Sequence, residues 1–212
     1  VSRTKNRPIA SGKVSIKLGL AYVIYLCLIA LLVLLNFNTL TIVLALGSMP
    51  LAFVYPLMKR YTYWPQLFLG ITFNYGLILG WVCIKSQIDM LPIIFYVGAI
   101  FWTLGFDTIY GYQDIKDDEI IGVKSTSIKF KKNPELFLII CYLIFTISLI
   151  LVGVFMKFNL IYYFSLLIPI LHLFFYQILN FNFKDPKNSL KTFKSNNLIG
   201  LIVLCNILIG KV

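Results

Sequence analysis

The chain has 212 residues, of which 59% are hydrophobic, 16% aromatic and only 13% charged, with a mean hydropathy of +0.87 and a net charge of +11. That apolar content lies outside the range of soluble domains, so the chain reads as an integral membrane protein. The positive charge does not mark a nucleic-acid binder, because the basic residues lie in short connectors between apolar runs rather than on a soluble scaffold.

The opening stretch, VSRTKNRPIASGK, has no signal-peptide order, and the first residue is Val rather than Met, so the sequence reads as starting inside a longer protein. Runs near 15–35, 39–58, 65–84, 91–110, 134–156, 159–181 and 196–211 follow. Each approaches the roughly 20 residues that cross a hydrocarbon core ~30 Å thick. Asn196, Asn197 and Asn206 make the last run the weakest. Pro50, Pro56, Pro92 and Pro169 fall in or at the ends of runs, where membrane helices tolerate kinks. With no repeat or low-complexity linker, the expectation is one all-α domain over 1–212, a polytopic bundle of about seven spans. Cys27, Cys83, Cys141 and Cys205 each stand alone in an apolar run and read as helix residues. His172, the only histidine, reads as a core residue donating a hydrogen bond to a neighbouring helix.

The basic residues set the orientation. Sixteen of the nineteen fall on one side: Arg3, Lys5, Arg7, Lys13 and Lys17, then Lys59 and Arg60, then five lysines in a 111–133 loop and four in a 182–195 loop. Lys85, Lys157 and Lys211 fall on the other, which makes the first side cytoplasmic. The expected location is a bacterial inner (plasma) membrane.

Five of the eight acidic residues lie between 107 and 119, at the cytoplasmic mouth of the fourth span. If that span stays helical beyond 110, Asp107, Tyr110, Asp114 and Asp118 share a face about 80° wide, with Asp117 at its border. An ionisable residue within a span normally faces a polar interior, and Asp107 is one. Carboxylates gathered in this way repel unless a cation neutralises them, and Mg²⁺ suits such oxygens and bridges to phosphate. A solvated loop balanced by Lys116, Lys124 and Lys129 is the plainer reading, and an intramembrane ion relay stays open on these residues.

The same rim carries RTKNRPIASGK at 3–13, YPLMKR at 55–60 and GVKST at 122–126. Tyr55 and Lys59 are one helical turn apart, with Arg60 beyond them. Arg offers a planar clamp for phosphate oxygens and Lys a mobile point charge, so carboxylates and cations on one rim suggest metal-assisted handling of a diphosphate. Below the rim, aromatics including Phe73, Tyr75, Trp81, Phe95, Tyr96, Phe101, Trp102 and Phe106 are packing or lipid-facing residues, a few of them suited to line a hydrocarbon tunnel.

RTKNRPIASG, YPLMKR, DTIYGYQDIKDDEIIGVKST and FKSNNLIGL, at 3–12, 55–60, 107–126 and 193–201, together resemble the UbiA-type intramembrane prenyltransferases, most of all those acting on 4-hydroxybenzoate in ubiquinone biosynthesis. The resemblance covers essentially the whole chain and implies a Mg²⁺ enzyme. Such an enzyme ionises a polyprenyl diphosphate to a carbocation, which an aromatic acid attacks. Carried over by position, Asp107, Asp114 and Asp118 match the second Asp-rich motif, with Asp117 adjacent and Tyr110 in the same Y-x-x-x-D pattern. Lys59 and Tyr55 match a diphosphate-contacting pair, and Arg3 matches a basic residue just after the first motif. Arg60 and Lys124 join the substrate-binding group, while Asn6 and Arg7 fall toward the acceptor side. The implied partners are polyprenyl diphosphate, an aromatic acid and membrane lipid, with no nucleic acid.

The family's first motif, N-D-x-x-D-x-x-x-D, closes the second of nine helices, immediately before R-T-x-N-R-P. Val1 comes after its expected end, so the seven spans correspond to the third to ninth helices. The expectation is an N-terminally truncated chain that is inactive alone, from a split gene, a decayed gene or a partial sequence, with a separate N-terminal fragment as one conceivable partner. Other acceptors (naphthoate, haem) and an ion or solute transporter are the alternatives.

Overall fold

A computed structural model describes residues 6–211. Among them, seven helices are long and apolar enough to cross a membrane. In chain order the helices are α1 (Ile16–Leu34), α2 (Thr39–Tyr61), α3 (Pro65–Lys85), α4 (Met90–Gly111), the short α5 (Ile115–Ile121) and α6 (Thr126–Lys129), α7 (Pro134–Met156), α8 (Leu160–Ile178) and α9 (Pro186–Gly210). The all-α expectation and the seven runs therefore hold.

Asparagine caps join neighbouring spans at the end of the bundle away from the acidic stretch. Asn38 accepts from Thr41 N at the start of α2, and its amide donates to the Val82 carbonyl of α3 at 2.9 Å. Asn159 caps α8 in the same way and donates to the Ile209 carbonyl of α9 at 3.0 Å. Each side chain satisfies a free helix-start N–H and a late carbonyl of another helix at once.

The core forms around α4, which packs on α7, α3 and the first half of α9. Small residues allow the close approach: Gly98 faces Ser148, and a Cβ on Gly105 would lie 2.6 Å from the Tyr142 ring. α1 packs chiefly against α2 and buries none of its residues.

A polar chain crosses this core. Tyr142 OH donates to Gln177 Oε1 at 2.6 Å, and Gln177 Nε2 donates to Asn196 Oδ1 at 2.9 Å. Asn196 Oδ1 also accepts from Trp102 Nε1 at 2.9 Å, so α4, α7, α8 and α9 are linked through satisfied groups. Asn196 and Asn206, which weaken the last run on paper, are both buried. The expectation for His172 is corrected, because its Nδ1 lies 3.4 Å from Gln177 Nε2 of its own helix. Residues His172–Ile178 are π-helical, and the wider turn brings positions five apart onto one face.

Two connectors also differ from the sequence reading. From Pro186 the 182–195 stretch is helical, because Ser189 and Thr192 turn inward while Lys187, Lys191 and Lys194 stay exposed. The 111–133 stretch forms α5 and α6, with Ser125, Thr126 and Ser127 buried.

Candidate active site

Near its end α2 tightens over Tyr55–Leu57, where Pro56 removes a backbone donor, and its last turn carries Lys59 and Arg60. α3 then starts at Pro65, placing Gln66 in its first turn. Opposite stands Asp107, one turn before the end of α4. Tyr55, Pro56, Lys59, Pro65, Gln66, Leu69 and Asp107 line an open cavity of about 260 Å³. Three of these, Tyr55, Lys59 and Asp107, are expected from the sequence and are brought together.

α4 does not continue past Gly111. Tyr112 and Gln113 form a turn and Asp114 takes φ −107°, ψ 7° before α5 begins. The single acidic face drawn for an unbroken helix is therefore corrected: Asp114 stands at the N-cap of a second helix, and Asp117 and Asp118 lie in its first turn. Asp118 is 6% exposed, and its Oδ2 lies 4.0 Å from Lys59 Nζ. Lys59 thus lines the same cavity as Asp107 and also faces the Asp118 carboxylate.

The 122–128 segment is pinned against this pair of elements. Lys124 N donates to the Lys59 carbonyl at 2.8 Å, and Lys124 Nζ donates to the Tyr61 carbonyl at 3.1 Å. Gln66 Oε1 accepts from Thr126 N at 3.0 Å, Thr108 and Thr126 share a 2.6 Å hydroxyl contact, and Ser127 Oγ donates to the Thr108 carbonyl at 2.7 Å. Gly111 leaves room for Ser127. Lys124 therefore holds the backbone of the YPLMKR turn, and GVKST acts by docking the acidic segment onto α3 and α4.

Other expected residues lie apart from the cavity. Arg60 and Asn6 are exposed, and Arg7 lines a different concavity with Pro8 and Ile9. Tyr110 rests its ring 4.4 Å from that of Phe193, joining the end of α4 to α9. Arg3 and Lys5 lie outside the described residues. Among the described residues no three His, Cys, Asp or Glu side chains gather closely enough to hold a metal. The donor type still suits a hard cation, since the oxygens are carboxylates, and an ion bound at Asp118 would share that carboxylate with Lys59.

Of the aromatics, Trp81 and Phe95 line an apolar groove of about 380 Å³. Phe95 and Trp102 line an adjoining cavity of about 240 Å³, and Leu77, Phe95 and Ile207 are common to both. Phe73, at 70% exposure, faces outward.

Residues 1–199 match the model of the UbiA prenyltransferase family. The chain belongs to the UbiA prenyltransferase family. Among its relatives, 4-hydroxybenzoate geranyltransferase 2 of Lithospermum erythrorhizon is 39% identical over 212 residues, covering 100% of this chain and 69% of the relative. The mitochondrial 4-hydroxybenzoate polyprenyltransferase of Bos taurus is 41% identical over 213 residues, covering 99% of this chain and 57% of the relative. The chain thus spans 57% to 69% of the length of these two proteins. The apo structure of a UbiA homologue from Aeropyrum pernix K1 superimposes with a TM-score of 0.81 at 21% identity, over 100% of this chain and 79% of that one, which supports the helical fold of the UbiA family.

Sequence reasoning missed Pro65, Gln66 and Leu69 in the cavity wall and the buried Ser125–Ser127. Gln66 carried a signal, being a polar residue just inside an apolar run.

Proposed function

We propose that this chain carries the diphosphate-handling part of a Mg²⁺-dependent prenyltransferase. The reaction moves a polyprenyl group from polyprenyl diphosphate to an aromatic acid, with 4-hydroxybenzoate in ubiquinone biosynthesis as the acceptor. The observation that carries the reading is Lys59, which lines the Asp107 cavity and lies 4.0 Å from Asp118. The named activities of the 39% and 41% identical relatives support the substrate pair.

In this reading Lys59 grips diphosphate oxygens as a point charge, while Tyr55 and Gln66 complete the polar wall. Asp107, Asp114, Asp117 and Asp118 are the carboxylates that would contribute oxygens to Mg²⁺, and since no three of them gather into a cage on their own, the ion would be held only together with the diphosphate, whose charge it would neutralise to make a better leaving group. The carbon–oxygen bond then breaks with its electron pair leaving on the diphosphate. The acceptor ring supplies the pair for the new carbon–carbon bond and loses its proton to solvent. The linked apolar cavities at Trp81, Phe95 and Trp102 suit the hydrocarbon. The whole of 1–212 acts as one membrane domain. Its Lys59 rim faces the cytoplasm of a bacterial inner membrane, the side to which the sequence assigns sixteen of nineteen basic residues.

The sequence holds no N-D-x-x-D motif, so these 212 residues alone turn over little or no substrate. Membranes expressing the chain with and without an upstream segment bearing that motif, assayed with geranyl diphosphate and 4-hydroxybenzoate, test both parts. Activity only with the segment and Mg²⁺ is expected. Equal turnover without either overturns the proposal.

A further inference from the structure

A second basic cavity opens on the same rim, away from Lys59 and Asp107. It measures about 380 Å³ and is lined by Tyr112, Gln113, Lys116, Lys131, Phe183 and Lys184, among others. The residues come from the turn after α4, from α5, from the end of the α6 connector and from the approach to α9, so four segments converge on it. Lys131 is paired with Glu119 at 2.7 Å, whereas neither Lys116 nor Lys184 forms an ion pair with a described carboxylate. Behind them sits Tyr112, 1% exposed, its ring edge-on to Phe181 at 5.3 Å and its hydroxyl buried with no hydrogen-bond partner. A stranded buried O–H costs free energy that a ligand oxygen would recover.

The cavity lies where α4 has just ended and α9 has yet to begin, which is headgroup depth for a bilayer. Its lining is mostly apolar, with cations at the edge, the arrangement that basic pockets between membrane helices present to anionic lipids. We propose that this cavity is a binding site for an anionic phospholipid of the leaflet that meets this rim. Lys116 and Lys184 hold the phosphate, and Tyr112 donates its hydroxyl to an oxygen of the headgroup or glycerol ester. The site is separate from the diphosphate cavity, and binding does not depend on catalysis.

The test uses the purified full chain in neutral detergent, with phosphatidylglycerol, phosphatidylcholine or inorganic phosphate added, read by native mass spectrometry and by thermal unfolding. Phosphatidylglycerol should bind and raise Tm where phosphatidylcholine and phosphate do not. Each of Lys116→Gln and Lys184→Gln should weaken it about fivefold, and the pair roughly 30-fold, at about 1 kcal/mol per lysine near a surface. Lys191→Gln, on the same rim outside the cavity, should change it less than twofold. Tyr112→Phe separates a ligand contact from a packing role: without lipid its Tm should be unchanged or higher, yet the gain from phosphatidylglycerol should shrink. Equal retention of both lipids, an unaffected double variant, a Lys191→Gln loss as large as the others, or stabilisation by phosphate alone would each overturn the assignment.

Discussion

Replacing Gln66 by Leu removes one acceptor and keeps the side-chain bulk. In the folded chain Gln66 Oε1 is 3.0 Å from Thr126 N, and both residues are buried, at 3% and 0% exposure. Stranding a buried backbone N–H costs about 1–3 kcal/mol, while polar contacts between membrane helices average only ~0.6 kcal/mol. A main-chain donor sealed from water belongs toward the first figure, so about 1–2 kcal/mol is expected, equivalent to roughly 5- to 30-fold in an opening equilibrium. The loss falls on the 122–128 segment, which Thr108 and Ser127 still tether by two further contacts. Hydrogen exchange in detergent should therefore show the Thr126 amide exchanging about 5- to 30-fold faster, with α7 and α8 unchanged. Unchanged exchange at Thr126, or a uniform rise across the bundle, would refute the reasoning that Gln66 pins this segment.

Gly105→Ala should destabilise the bundle by about 1–3 kcal/mol in denaturant unfolding, because its Cβ would meet a Tyr142 ring that the Gln177 bond at 2.6 Å prevents from moving. Gln177→Leu should weaken α7–α9 cohesion by a similar amount, about 1–3 kcal/mol, by stranding the fully buried Tyr142 hydroxyl; no change would mean that the polar chain is dispensable. Burial pushes the Tyr112 phenol well above its ordinary value of 10.0. The folded state therefore keeps its proton where the unfolded state loses it. That contribution is whole below about pH 10 and is lost as pH rises toward the folded value, so Tyr112→Phe should flatten the alkaline fall in stability.

The spans were legible because bilayer thickness imposes one length and one composition on every crossing helix, and those signals need no partner to be read. The site was legible in its charges: Asp107, Lys59 and Tyr55 were picked out by residue type and do meet. What escaped was set by tertiary contact. Gly111 is a weak local signal for the end of α4, but the docking of Thr126 and Ser127 against Thr108, 18 and 19 positions away, has none. The same holds for Pro186 onward, where lysines suggested a loop but buried Ser189 and Thr192 make a helix against α4. The partner of His172 was not legible because the chain turns π-helical over His172–Ile178, which brings Gln177 of the same helix beside it.

Lys59 and the carboxylates near it are proposed to form a metal-assisted diphosphate site. Calorimetric titration of geranyl diphosphate into the purified chain, with Mg²⁺ and with chelator, tests it most directly when repeated on Lys59→Gln and Asp107→Asn. Mg²⁺-dependent binding that both substitutions weaken is expected, with the Asp107→Asn chain losing most of its response to Mg²⁺. Binding that ignores Mg²⁺ and both substitutions would contradict it.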